Sequence, residues 1–536
     1  MKLVNVSEMK EIEKEANRKG HSYDRMMDLA GEGTAEIILS FYGYCESPSI
    51  IGLVGSGNNG GDTLVALGHL AKKGWKTLAY LVKDRPKDDQ RLNEYQQKGG
   101  LVERLEKDIH FSVLDQWLEE CHVLVDGVYG TGVRQPVPDD ITDLFNRIVN
   151  SKRIPYVVAI DCPSGINCDT GEVYLPCIPA DVTVCMGAVK EGLLKFPAYN
   201  FVGDIEIVDI GIPNTVKSWQ MINRWVADTK MVHNLLPERR KDTNKGSFGT
   251  CLIVAGSINY TGAVLLAARA AYKVGTGLIR TAVPGPLHGI LAGQLPESTW
   301  ILLPHEMGVI SDDAADILLR NLDRVSCILL GPGLGLEDTT SVFLQRVLQQ
   351  KTGKSYRGSI GFVGSVQSKG EEAQSFPPCV IDADGLKLIS RIPDWHRLLE
   401  TTAVLTPHPG EMAVMTGLSV KEIQSNREAI AVRYAKEWNH VVVLKGALTV
   451  IADPSGKTCL IPVATSALAK AGTGDVLAGV IAGLRAQGVD PYSSAVVGAY
   501  IHAQAGLMAA EKIGHEASVL ASDVIDLIPH VLSSLW

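Results

Sequence analysis

An aspartate delivered by a glycine-rich turn to the start of an apolar helical run is placed for phosphoryl chemistry, and residues 471–475, read AGTGD, present one. Gly472 and Gly474 let the backbone approach a ligand closely, while Val476, Leu477, Val480, Ile481 and Leu484 have the spacing of a buried helical face. Unpaired N–H groups at such a start attract anions, phosphate above all. Asp475 itself would repel a phosphate. Two readings follow: a general base that accepts the proton of a hydroxyl attacking a phosphoryl group, or a plain helix cap. Taken alone, the two are evenly matched.

A second glycine-rich turn, GSGNNGGD at 55–62, follows the strand-like run SIIGLVG and leads into a helix expected from about Thr63. Gly55, Gly57 and Gly60 satisfy GxGxxG, and Asp84 closes the next strand as a ribose-binding acid would, so a dinucleotide site is a competitor. Against it, Asn58, Asn59 and Asp62 crowd amides and a carboxylate where a pyrophosphate needs bare backbone. Other strand ends carry Asp126, the run Gly130, Thr131, Gly132, Val133 and Arg134, and Asp161 with Ser164. Asn59, Asp126 and Ser164 offer hard oxygens from separate strands, which suits a monovalent or divalent cation. Each alone reads equally well as a turn former.

The elements that must hold these residues alternate. Runs such as TLAYLVK, HVLVDGVYG, YVVAIDCPSG, ADVTVCMGA and DIEIVDIG interleave with helical patterns, the signature of a mostly parallel sheet covered on both faces. Such sheets bind ligands at the carboxyl ends of their strands. Met9, Ile12 and Ala16 are in helical register and read as a helix packed on that core. A second series starts after PERRKDTNKGSFG and runs through CLIVAG, TGAVLLAARAAYKVG, SCILLGPG, CVIDADG, AVLTPHPGE and VVVLKGALTVI. We expect two α/β domains, 1–225 and 226–536. Residues 351–378, rich in Gly, Ser and Lys without periodicity, read as a surface excursion without chemistry.

At 536 residues the chain exceeds one ordinary core of roughly 150 residues. The net charge of −9 argues against a nucleic-acid partner. Ten cysteines without a CxxC pair read as reduced, mostly buried thiols and not as a zinc site. No run approaches the roughly 18 apolar residues of a membrane span and the charged N-terminus lacks a signal-peptide core, so a cytoplasmic protein without a membrane partner is expected.

GSGNNGGD, DGVYGTGVR, AIDCPSGIN and ADVTVCMGAVKEGL resemble the NAD(P)H-hydrate epimerase domain across residues 1 to about 225. That resemblance implies a Rossmann-like three-layer fold that binds a hydrated nicotinamide nucleotide through Asn58, Asn59, Gly60, Gly61 and Asp62, residues 130–134, and Asp161. It also implies potassium on Asn59, Asp126 and Ser164. Asp161 is the candidate for proton transfer, with Lys190 second, and Thr63 departs from the family's usual glycine. From about 230 onward, KGSFGTCLIVAGSINYTGAVLLAARAAYKVGTGL, GPGLG, VIDADGL, TPHPGE, KGALTV and AGTGD resemble the ADP- or ATP-dependent NAD(P)H-hydrate dehydratase of the ribokinase-like superfamily. The resemblance assigns substrate to Ala263, Gly335, His408 and Asp475, and the adenine nucleotide to Lys445, Gly446, Ala447, Leu448, Thr449 and Gly474, with Mg2+ accompanying ADP or ATP.

His408, between two prolines, could instead merely fill a turn, and Lys445 could be a solvated strand-end lysine. Asp382 and Asp384 read as water-bridged magnesium ligands or, with a slight preference, as loop structure. Glu411 reads as the start of the next helix. Ala469 and Lys470 depart from the family pattern and leave the nucleotide open, although the fused arrangement resembles the bacterial enzymes and favours ADP. The expected activity is therefore epimerisation of NADHX and NADPHX, followed by nucleotide-dependent dehydration of the S hydrate, in a homo-oligomer of four or more copies. The alternatives are a small-molecule kinase with a nucleotide-sensing first domain and, with less support, a dehydrogenase.

Overall fold

The computed structural model describes residues 1–86, 88–132, 136–174, 176–350 and 376–536. Residues 351–375 of the expected surface excursion, and Val133 and Arg134 of the expected site, lie outside the described residues. The chain divides into two compact units, Met1–Val226 and Ala227–Trp536.

The first unit opens on the helix Val6–Arg18, whose start is fixed by a reciprocal cap. The Asn5 side chain accepts the Glu8 N–H and the Glu8 carboxylate accepts the Asn5 N–H, both at 2.8 Å. Met9, Ile12 and Ala16 are its buried positions, as the helical register requires. The sheet is parallel throughout, in the order Leu101–Arg104, Lys76–Leu81, Ser49–Val54, Val123–Gly127, Tyr156–Ile160, Val182–Met186, Asp204–Val208. Side chains alternate across it. Ile50, Val54 and Val125 pack with the helices Tyr23–Tyr42 and Asn58–Lys72 on one face, while Ile51, Leu53 and Leu124 pack with Ser112–Glu120 and Asp139–Val149 on the other. Each such side chain stabilises the unit by roughly 1.5–3 kcal/mol. This is the expected three-layer arrangement.

Strand order reverses beside Ser49–Val54, because the chain first builds outward to Leu101–Arg104 and then crosses to Val123–Gly127 on the other side. Val54 lies opposite Gly127, so both strands leave the sheet at one level. A crevice at that reversal is where a ligand binds in this class of sheet.

The second unit repeats the plan with different edges. From Thr299–Leu303 the sheet runs through Leu278–Pro284, Thr250–Val254, Cys327–Leu330, Cys379–Ile381, Val404–Leu405 and Val441–Leu444 in parallel. Val450–Ala452 and Thr458–Leu460 add an antiparallel margin. The reversal falls between Thr250–Val254 and Cys327–Leu330, and just beyond it the Gly256 N–H donates to the Pro332 carbonyl at 2.8 Å. The helix Thr473–Ala486 lies against Thr261–Lys273 so closely that a Cβ at Gly479 would stand 2.2 Å from the Ala267 carbonyl oxygen.

All ten cysteines are unpaired and nine are buried. Among the described residues no helix is long and apolar enough to cross a membrane.

Candidate active sites

In the first unit the helix after Ser49–Val54 begins at Asn58, several residues before the expected Thr63. The glycines do not delay it; they let its first turn pack. A Cβ at Gly60 would lie 2.0 Å from the Gly55 carbonyl oxygen, and one at Gly61 would meet the Met27 sulfur at 2.7 Å. Gly57 caps this helix without a side-chain bond, so its first amides stay open to a ligand at the sheet's reversal point. Beneath the turn the buried Arg85 guanidinium donates to the Gly55 carbonyl at 2.6 Å and to Asp89 at 2.8 Å. No local signal marked Arg85, because its role depends on a loop 30 residues upstream.

The Asn59 amide donates to the Ile160 carbonyl at 2.6 Å, and its Oδ1 would be 2.2 Å from a Cβ at Gly130, which ties the NNGGD turn to the strand end before Asp161. Asp126 is fully buried. One of its oxygens accepts the Ser164 N–H at 2.7 Å and the other the Ser164 hydroxyl at 2.5 Å, while the Ser164 oxygen accepts the Tyr129 N–H at 2.8 Å. Burial pushes the Asp126 carboxyl up, against the bonds from Ser164, and no cation among the described residues offsets it. A buried carboxylate served, among the described residues, by neutral donors alone, with an amide and a hydroxyl nearby, has the donor chemistry of a cation site. Asn58 and Gly132 are exposed, Thr131 is half-buried beside them, and Asp62 is buried. Burial, then the charges of Asp161 and Glu13, push the Asp62 carboxyl well up.

Asp161 adopts a left-handed backbone, φ 64°, which few non-glycine residues hold. Its Oδ1 accepts the Met186 N–H at 3.0 Å and an ion-paired hydrogen bond from the buried Lys190, whose ammonium also donates to the Met186 carbonyl at 3.1 Å. Burial alone would lower the lysine's proton affinity, but the Asp161 charge reverses that and holds it charged. Asp84 of the competing dinucleotide reading is 65% exposed and pairs with Arg104 at 3.2 Å.

In the second unit Gly472, φ 87°, caps the helix Thr473–Ala486 without any side-chain bond, and Asp475 is its third residue. Asp475 therefore does not cap. The Thr473 hydroxyl donates to the Leu468 and Lys470 carbonyls at 2.8 Å, fixing the turn. Burial, then the Asp382 charge, push the Asp475 carboxyl up to about 7, with Lys445 opposing.

Lys445 is not a solvated strand-end lysine: its ammonium pairs with the buried Asp382 at 2.7 Å and lies 3.6 Å from Glu411. It would be 3.5 Å from a Cβ at Gly474, so its charge stands at the helix start. The same Asp382 oxygen accepts the Thr406 hydroxyl at 2.6 Å. Asp384 accepts the Gly335 N–H at 3.1 Å and pairs with Lys387, a structural duty that positions the GPGLG loop.

His408 caps the helix Pro409–Thr416. Its Nδ1 accepts the Gly410 and Glu411 N–H groups at 2.9 and 3.3 Å, so the neutral ring carries its proton on Nε2, 3.3 Å from Glu411. Ala263 is buried on Thr261–Lys273, and a Cβ at Gly333 would meet its methyl at 3.0 Å.

A cavity of about 350 Å3 gathers His408, Lys445, Gly446, Ala447, Thr449 and Gly474. Leu448 is not part of its wall: it is buried, with φ 56°, and its N–H donates to the Val463 carbonyl at 3.0 Å. Ala263, Gly335 and Asp475 lie outside that wall as well. His502 also lines the cavity; its Nε2 is buried without a partner among the described residues, and burial pushes the ring down to about 4. The apolar run around it gave no sign of this.

Residues 23–192 match the family described as YjeF-related protein N-terminus, and residues 251–356 and 366–530 match NAD(P)H-hydrate dehydratase. A Moorella thermoacetica protein described as bifunctional NAD(P)H-hydrate repair enzyme Nnr is 37% identical over 95% of this chain and 92% of its own. An Escherichia coli K12 protein of the same description is 30% identical over 95% of this chain and 89% of its own. Among solved structures, the ADP/ATP-dependent NAD(P)H-hydrate dehydratase from Bacillus subtilis, co-crystallised with ATP and Mg2+, is 29% identical. It covers 58% of this chain and 99% of its own, with a TM-score of 0.48.

Proposed function

We infer the activity from one premise: this chain belongs to the family of bifunctional NAD(P)H-hydrate repair enzymes. It is an epimerase and a dehydratase in one polypeptide. Unit Met1–Val226 interconverts the R and S hydrates of NADH and NADPH, and unit Ala227–Trp536 dehydrates the S hydrate using ADP or ATP, with ADP favoured.

The observation that carries the dehydratase reading is Asp475, close to an open helix start yet free of capping duty and poised near neutrality. The hydrated ring bears a hydroxyl on carbon six, and hydroxide leaves poorly. Asp475 takes the hydroxyl proton as that oxygen attacks the terminal phosphoryl group. The amides of Gly472 to Gly474 and the Lys445 ammonium stabilise charge on the transferred group, worth a few kcal/mol by analogy with oxyanion donors. The carbon–oxygen bond then breaks, phosphate departs, the adjacent carbon loses a proton and the ring double bond is restored. His408, with its proton on Nε2, acts as a donor that orients the substrate.

No cluster of His, Cys, Asp or Glu arranged for a metal occurs among the described residues, so magnesium fits only as a companion of the nucleotide phosphates, and no step depends on it. In the first unit Asp161, ion-paired with the buried Lys190, transfers the proton at the substrate. Asn59, Asp126 and Ser164 hold potassium, which would balance the buried Asp126 charge and brace the substrate loop. We place the enzyme in the cytoplasm as a homo-oligomer of four or more copies, a state that light scattering would measure.

The test is recovery of NADPH absorbance from the R hydrate alone with ADP or ATP. The wild type should restore NADPH, Asp475→Asn should restore none from either epimer, and Asp161→Ala should act on the S hydrate only. Replacing potassium with a large organic cation should slow recovery from the R hydrate and not from the S hydrate. A stable phosphorylated product without NADPH would establish a kinase instead.

A further inference from the structure

Arg427 sits behind the loop assigned to the nucleotide, outside the cavity wall and outside every motif in the sequence. From the first residue of the helix Arg427–Trp438 its Nη2 donates to the Leu444 carbonyl at 2.8 Å and to the Lys445 carbonyl at 3.3 Å, and its Nη1 to Gln424 at 2.9 Å. Its Nε is buried without a partner among the described residues. The next residue along the loop, Gly446, has φ 144°, and a Cβ there would lie 3.0 Å from Nη1 and 3.2 Å from Nη2. Among the described residues no carboxylate pairs with it, and burial pushes this guanidinium down to about 10. The neighbouring Glu428 is engaged elsewhere, accepting the Thr458 hydroxyl at 2.8 Å.

Two consequences follow from this geometry. Carbonyls drawn back onto Arg427 fix the bend at Lys445 and Gly446. The Gly446 and Ala447 amides donate to no backbone carbonyl among the described residues, and both residues line the cavity. A half-buried cation with no counter-ion among the described residues favours an anion nearby, and glycine is the residue that lets the guanidinium stand directly behind the loop surface.

We propose that Arg427 is the positioning residue of the nucleotide loop, holding its bend from behind and setting a fixed positive charge against the face that receives the nucleotide's phosphates. The proposal rests on reading residues 445–449 as that loop. A lysine could supply the charge but not the planar fork that holds Gln424 with one nitrogen and both loop carbonyls with the other.

The test is calorimetric titration of ADP into the full-length wild type, Arg427→Met and Arg427→Lys, alongside KM values for ADP and the S hydrate, epimerisation rates and melting temperatures. Arg427→Met should weaken ADP about tenfold and Arg427→Lys about threefold, with the hydrate KM and epimerisation changed less than twofold. Unchanged ADP affinity in Arg427→Met overturns the proposal, as does an equal rise in both KM values. If Arg427→Met does not fold, the Arg427→Lys titration decides in the same way. A wild type that binds ADP but restores no NADPH defeats the dehydratase reading while leaving the Arg427 comparison intact. A wild type that binds neither ADP nor ATP overturns both.

Discussion

Asp161 receives the Lys190 ammonium and the Met186 N–H on one oxygen, whereas Asp475 receives no hydrogen bond from the described residues and its nearby ammonium, on Lys445, is drawn toward Asp382. The contrast follows from what surrounds each acid. Among the described residues Lys190 pairs with one carboxylate and is held charged by it; Lys445 is shared between Asp382 and Glu411 and can only partly offset the field at Asp475. A committed ion pair fixes an acid in place, which suits proton exchange on a substrate that keeps its bonding pattern. A carboxyl near 7 can both take a proton from a hydroxyl and later release it, which suits phosphoryl transfer.

Breaking the better-defined side of that contrast should have the largest effect on the fold. Lys190→Met leaves the Asp161 carboxylate buried and unpaired, which destabilises by on the order of 3–5 kcal/mol. Denaturant melts of the full chain should show the transition of unit Met1–Val226 lowered, and epimerisation should fall with it. An unchanged melt would mean that the pair contributes orientation without stability.

The opposite sign is expected at Asp475. Its folded-state carboxyl stands above the ordinary 3.8, so its contribution to stability is complete at low pH and is lost as pH rises toward about 7. Asp475→Asn removes that loss. It should raise the stability of the second unit on the order of 1–3 kcal/mol at pH 8, and by less at pH 5. Dehydration by the wild type should weaken below about pH 7 as the base becomes protonated. A stability gain that is the same at both pH values would show that Asp475 ionises as an ordinary surface acid.

How much of this was legible in the sequence varies with how local the cause is. The parallel strands, the two domains' strand ends and the GTGD helix start are short-range patterns, and each stands where its pattern points. The helix beginning at Asn58 was missed because two glycines argue against helix locally, while the reason for them, contact with Gly55 and Met27, is tertiary. Lys445 shows the same limit. A strand-end lysine is ordinarily solvated, and its partner Asp382 lies 63 residues away in sequence. A motif does not say which of its members turns inward, and at Leu448 a positive φ and a bond to Val463 accompany its place outside the cavity wall.

The smallest effect sharpens the comparison from the other side, by asking which acids near the first site do nothing. Asp84 closes a strand as the ribose-binding acid of a dinucleotide fold would, and this drew attention to it in the sequence. Its pairing with Arg104 at 3.2 Å is exposed, so screening leaves the pair worth about 0–1 kcal/mol, and among the described residues none assigned to the nucleotide hydrate pairs with it. Asp84→Asn should therefore leave the rate and KM of epimerisation within twofold of wild type and the melt unchanged. A tenfold rise in KM for the hydrate would place the ribose at the end of Lys76–Leu81 and restore the dinucleotide geometry that Asn58, Asn59 and Asp62 argue against.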